Sequence, residues 1–248
     1  MKKTYQLLLI GTILCCLVSS CKDKKEIVPI LPPSSSMSMD FSYFSITKSD
    51  NKGLETTYFE AAALIVGNWV PITKVVLDVP ISAFEALASN DNKKQSIGDN
   101  TWQWNYTNGG HSVVATAVVG PSTKWTFNID GVDCITGTSD SKGTSRDWEL
   151  RDMSSTNTPL LKIDWTSSTS SQTILSYTCL SGSYSGSTIM YYPEATSTTY
   201  SNTFEGKDGN DNYCIEWNPT VGGRIRSQAS FGNTEWHKWN ANKTNVSE

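Results

Sequence analysis

Acid–base, metal and nucleophilic sites are built from histidine, cysteine and paired carboxylates, and this chain places them sparingly. It has two histidines: His111 follows a glycine-rich turn and His237 lies between Trp236 and Trp239. Neither has a partner at ligand spacing, whereas a zinc site needs three or four His, Cys or carboxylate ligands. The sequence therefore predicts no metal and no cofactor. Asp208-Gly209-Asn210-Asp211-Asn212 begins like a calcium loop, but Tyr213 and Pro219 stand where an EF-hand needs Gly and Glu, so the stretch reads as an Asx-rich turn. Ser45 with Lys48, and Ser139 with Lys142, match S-x-x-K without the companion S-D-N and K-T-G elements. In Gly182-Ser183-Tyr184-Ser185-Gly186 a tyrosine occupies the place of the nucleophilic serine of G-x-S-x-G, and no phosphate-binding glycine loop occurs. The expectation is a non-enzymatic protein, with Trp236, His237 and Trp239 as candidate ligand contacts.

One cysteine has a chemistry set by its neighbours. Leu17-Val18-Ser19-Ser20-Cys21 reads as a lipobox. It ends a segment with Lys2 and Lys3 at its start and an apolar run from Leu7 to Val18. A membrane span needs ~20 apolar residues; this shorter run, broken by Gly11 and Thr12, has the form of a cleaved signal over 1–20. The resemblance is to bacterial lipoproteins, and it implies a diacylglycerol thioether and an N-acyl chain on Cys21, a firm attachment where a single chain holds only marginally. The partner implied is the lipid bilayer and the location the cell envelope, at the outer membrane, with the periplasmic or surface face left open. Cleavage removes Lys2 and Lys3 and takes the formal charge from −4 to −6, which argues against nucleic acid, whose phosphates require clustered Lys and Arg. Cys15 and Cys16 leave with the signal. Cys134, Cys179 and Cys214 then permit at most one disulfide.

Behind these residues the chain divides into unlike stretches. Residues 21–40, with Lys22 to Glu26, Pro29, Pro32, Pro33 and Ser34 to Ser36, are expected to hold the lipidated cysteine and a flexible tether. A single β-rich domain follows over 41–240, then a polar tail over 241–248. Within 54–89, Ala61, Leu64 and Ile65, then Ile72, Val75, Val76 and Val79, then Phe84 and Leu87 recur at helical spacing. Gly67-Asn68 and Pro71 divide the first helix from the second, and Pro80 kinks or restarts the second. The apolar stripe is expected to lie on a sheet.

From Asn100 the period falls to two: Trp102, Trp104 and Tyr106; Trp125, Phe127 and Ile129; Trp148 and Leu150; Leu161, Ile163 and Trp165; Tyr213, Ile215 and Trp217. Clean alternation belongs to antiparallel sheets with one solvated face. Turns at Asn108-Gly109-Gly110, Gly120-Pro121, Asp130-Gly131 and later glycine pairs separate the runs. The predicted fold is mainly β (α+β): ten or eleven strands in a large curved antiparallel β-meander or half-open barrel, with N-terminal helices packed on one face.

Met37-x-Met39-Asp40-Phe41-Ser42, Trp102-x-Trp104-x-Tyr106, Gly137-Thr138-Ser139, Leu161-x-Ile163-Asp164-Trp165, Ile215-Glu216-Trp217-Asn218, Gly223-Arg224 and Trp236-His237-x-Trp239 together resemble a group of uncharacterised Bacteroidetes lipoproteins. The resemblance covers nearly the whole mature chain and implies an envelope location, but no catalytic or binding residue. The functional expectation is a binding or carrier protein for an apolar ligand or an envelope partner, with a surface glycan-binding lipoprotein using exposed tryptophans as the alternative. The nine tryptophans bear on both, since indoles stack on sugars, yet most share the parity of core residues. Parity also points Cys179 inward and Cys214 outward, there to be covered or paired with Cys134.

Overall fold

A computed structural model describes residues 26–45, 57–71, 78–154, 156–169, 172–193, 199–209 and 211–247. The signal, Cys21 and the helical positions Ile72, Val75 and Val76 lie outside the described residues. Among the described residues fourteen strands follow one another: β1 Gln95–Gly98, β2 Thr101–Asn108, β3 His111–Val119, β4 Ser122–Ile129, β5 Val132–Asp140, β6 Ser145–Arg151, β7 Pro159–Thr169, β8 Gln172–Cys179, β9 Thr188–Pro193, β10 Asn202–Asp208, β11 Asp211–Asn218, β12 Gly222–Ser227, β13 His237–Asn240 and β14 Asn245–Val246. Each pairs antiparallel with its neighbours in sequence, so strand order equals chain order and β1 and β14 are the edges of one open sheet. The short edge strands account for the excess over ten or eleven. The expected polar tail contributes β14.

The turns follow from backbone sterics. The β2–β3 loop is Gly109-Gly110, with φ of 57° and 88°, so Asn108 stays in the strand opposite His111. At the β4–β5 turn Asp130 and Gly131 take φ of 51° and 89°, the two positive values a type I′ hairpin requires. One β-bulge explains the ambiguous parity of the following strand. Phe127 pairs with Ile135 and Asn128 with Asp133, leaving Cys134 as the extra residue, and both Cys134 and Ile135 are buried.

One face of the sheet carries the alternating apolar residues, among them Trp104, Trp125, Phe127, Trp148, Ile163, Tyr177, Ile215 and Trp217, all buried. Two helices touch this face, α1 (Tyr58–Pro71) and α2 (Asp78–Ser89). Phe84 of α2 meets the rings of Phe127 and Trp148. Trp69 of α1 donates from Nε1 to the Tyr213 hydroxyl at 2.7 Å. The inward residues of α1 are Phe59, Ala62, Ala63, Val66 and Trp69, a stripe one position off the expected Ala61, Leu64 and Ile65; Leu64 is 62% exposed. Gly67 and Asn68 do not break α1, which runs on to Pro71. Pro80 lies in the first turn of α2, where its missing N–H has no intrahelical partner to lose.

The segment 26–45 differs from the tether expected over 21–40. It crosses the apolar face as a strap. Trp102 Nε1 donates to the Ile27 carbonyl at 2.9 Å, Ser35 and Thr173 share a hydroxyl hydrogen bond at 2.7 Å, and Trp148 Nε1 donates to Ser36 Oγ at 3.2 Å. Tyr177 then donates to the Met37 carbonyl at 2.5 Å, Phe41 packs edge-on to Phe204, and Tyr43 accepts from Trp239 Nε1 at 3.1 Å. Met37 and Ser36 are wholly buried. Composition suggests a solvated linker here, but indoles and phenols on the sheet supply hydrogen-bond partners for its polar atoms.

Candidate functional site

The sheet's other face is polar by the same alternation, and one region of it gathers aromatic and cationic groups. Register places Met190, Glu205, Cys214 and Arg226 side by side across β9 to β12. In the next row Glu216 faces Arg224, whose Nε donates to Glu216 Oε2 at 2.5 Å. Just before β13, Trp236 lies with its ring centroid 4.1 Å from the Arg224 guanidinium carbon and 4.9 Å from that of Arg226. Tyr200 lies 5.2 Å from Arg224. Such stacking of guanidinium on ring is attractive through the ring quadrupole. Beside it is a hollow of about 370 Å³, bordered by Thr188, Met190, Glu205, Lys207, Arg226 and Thr234, with Cys214 in its lining.

Cys214 is 3% exposed. Burial first, and the Glu205 carboxylate second, push its thiol up to about 12, and Sγ donates to Glu205 Oε1 at 3.7 Å. It points outward, as parity predicts, and is covered rather than paired. Cys134, Cys179 and Cys214 are all buried, and none of them is in a disulfide. Burial likewise raises the Cys134 thiol. Reactive cysteines are those held as thiolates at neutral pH, and the arrangement at Cys134 and Cys214 does the opposite.

Trp236, His237 and Trp239 are not brought together. Only Trp236 joins the outer cluster. Trp239 turns inward, 2% exposed, against Tyr43 and Phe59. His237 shares its face, packs on Tyr58 and Phe231, and has Nε2 3.1 Å from Asn233 Oδ1. His111 is bound to a turn instead: Nδ1 lies 2.6 Å from Asp130 Oδ2, and this bond, with the Ser112 amide, holds the Asp130 carboxyl below its usual range. Ser139 is buried and accepts from Trp125 Nε1 at 2.9 Å, while Lys142 is exposed, so that S-x-x-K match forms no pair. Ser45 with Lys48 falls partly outside the described residues. Among the described residues no three His, Cys, Asp or Glu side chains gather closely enough to hold a metal ion.

Seven of the nine tryptophans are buried, which leaves Trp102 and Trp236 partly exposed. Trp102 is engaged by the start of the strap. A second hollow of about 460 Å³, on the apolar side between strap and helices, is lined by Met39, Phe41, Phe44, Val66, Ile81 and Tyr177 with Asp40 and Asp78. Arg224, Arg226, Glu216 and Tyr200 escaped the sequence reading. The signal was present in the two arginines that flank inward Ile225. Comparison with family models, curated proteins and solved structures finds no match.

Proposed function

We propose that this chain is an envelope-anchored, non-enzymatic binding protein, tethered through acylated Cys21 and presenting the outer face of β9 to β13 to an envelope partner. The observation that carries this reading is the strap. Because chain contacts with the sheet begin, among the described residues, at Ile27, five residues separate them from Cys21, six steps with a reach of at most ~20 Å when fully extended. The anchor is thereby held near the β1–β2 edge. The Arg224–Trp236 cluster lies beyond β12, ten strand intervals from β2, or ~48 Å measured along the sheet at ~4.8 Å per interval. An anchored domain built this way keeps one edge at the bilayer and holds its cationic aromatic cluster away from it.

The same strap supports a curved sheet. Ile27 contacts β2 and Tyr43 contacts β13, sixteen residues apart. With two turns of 3-10 helix on the way, that stretch crosses the eleven strand intervals between β2 and β13. A half-barrel whose concave face receives strap, α1 and α2 brings both ends within its reach. It also fills that face with the chain's own side chains, which favours the outer face as the binding surface. No helix among the described residues is long and apolar enough to cross a membrane.

Cys21→Ser is expected to abolish incorporation of labelled fatty acid and to release the chain from the membrane fraction. Membrane retention of the mutant, together with an unlabelled wild type, would refute the anchor.

A further inference from the structure

We propose that the Trp236 cluster is a binding site for a carboxylated oligosaccharide, with the sugar ring on Trp236 and its carboxylate against Arg226. This rests on the reading of the chain as a binding protein and names the ligand class of that surface.

Trp236 is a platform set in place. Arg224 and Arg226 rise from the same face of β12, two residues apart, and both guanidiniums lie within 5 Å of the indole. The indole is partly exposed, and an apolar sugar face needs a ring held in place, which two stacked guanidiniums provide. Arg224 owes its position to Glu216, with which it pairs at 2.5 Å, and it is sandwiched by Tyr200. Its charge is thereby compensated.

Arg226 differs. It is exposed, makes no ion pair among the described residues, and borders the hollow of about 370 Å³ together with Lys207, which also has none. Glu205 is the carboxylate in that lining, and it accepts from Cys214. Two uncompensated cations against one carboxylate leave a local positive charge on a chain whose mature net charge is −6. Long-range attraction of an anion to this protein is therefore absent, and charges beyond ~8 Å are screened at physiological salt. What the site can do is recognise a carboxylate at contact range, where arginine's planar donors suit it. An aromatic plane beside a cation and a polar hollow fits an acidic sugar better than an acidic peptide, which has no use for the ring.

The test is calorimetric titration of the full lipidated chain in nanodiscs with galacturonate, glucuronate-containing and mannuronate tetrasaccharides, with cellotetraose as the neutral control and tetraglutamate as the acidic peptide. At least one acidic tetrasaccharide is expected to bind about tenfold or more tightly than cellotetraose. Trp236→Ala should weaken that binding about tenfold, a factor typical of losing an aromatic anchor, while Trp236→Phe retains most of it. Arg226→Ala should remove the preference for acid over neutral sugar, with melting temperature unchanged in both variants. Failure of all three acidic sugars, binding that survives Trp236→Ala, or tetraglutamate binding as tightly as the sugars overturns the proposal. Membrane fractionation of the wild type is read in parallel: a chain that stays anchored while none of the acidic sugars binds sinks the saccharide site and leaves the anchored-protein reading standing.

Discussion

Trp236, His237 and Trp239 show what a residue's neighbours in sequence do and do not say about its neighbours in space. Within a strand, alternate positions share a face, so His237 and Trp239 of β13 both go in, while Trp236, just ahead of the strand, goes out to the arginines. Parity was equally available for Cys179 and Cys214, and there it assigns the faces correctly. What parity lacks is cover: Cys214 faces outward and is still only 3% exposed, because Glu205 and Arg226 flank it in register. The thiols of Cys134, Cys179 and Cys214 are therefore expected to resist iodoacetamide in native protein at neutral pH and to react together on unfolding without reductant. A disulfide would leave one. The pH dependence has a definite sign. Cys214 has a folded value near 12, above its ordinary value of 9.0, so the unfolded chain sheds this proton first. Its contribution is intact below pH ~9 and lost as pH rises from there toward ~12. Burial raises the Tyr191 phenol to about 12 as well, which adds to the same alkaline loss. Labelling of Cys214 ahead of unfolding at pH 8 would contradict the burial that governs it.

At the scale of elements, alternation and turns were legible and glycine within strands was not. Gly137, Gly206 and Gly223 sit mid-strand, where glycine weakens a sheet. Each stands opposite an aromatic residue of the next strand: Trp148, Tyr213 and Trp239. The ring lies so close over the glycine that a Cβ there would collide with it. The glycine makes room and the ring covers the bare backbone, a cross-strand device that pins register. Sequence alone gives the glycine but not its partner, since that requires the register. In Gly137→Ala the Cβ would meet both the Asp147 carbonyl oxygen and the Trp148 ring, and would push that ring away from Phe84 and Ser36. Overpacking of this kind costs ~1–3 kcal/mol, so the melting temperature should fall by ~2–12 °C at the ~2–4 °C per kcal/mol of a domain this size. A variant as stable as wild type would show that the ring moves freely. The offset stripe on α1 has a similar cause: Ala61, Leu64 and Ile65 satisfy helical spacing as well as Phe59, Ala62, Val66 and Trp69 do, and the sheet's own aromatic residues decide between them.

At the scale of the whole molecule, an open sheet of fourteen strands carries a broad apolar face, and the chain covers it with its own N-terminal segment. Up to Ser36 that cover was illegible because proline and serine stretches read as solvated linker. From Met37 to Phe44 aromatics alternate with small polar residues, which reads as a short strand or an extended docking segment, but what it docks on requires the fold. Met37 is the most informative position. It is wholly buried, with its carbonyl held by Tyr177 and the preceding Ser36 held by Trp148. A flexible tether would tolerate any residue there. In a strap, Met37→Asp buries a carboxylate without a partner, which belongs to the changes that destabilise a domain by more than ~4 kcal/mol, while Met37→Leu, close in volume, should cost less than ~1.5 kcal/mol. Thermal melts of the two variants separate the cases, and hydrogen exchange localises the effect. Amides from Ile27 to Phe44 are expected to open slowly in wild type and fast in Met37→Asp. Equal melts for both substitutions, with 27–44 exchanging at the rate of free chain in wild type, would return the segment to a tether and with it remove the support for the proposed edge-on attachment to a bilayer.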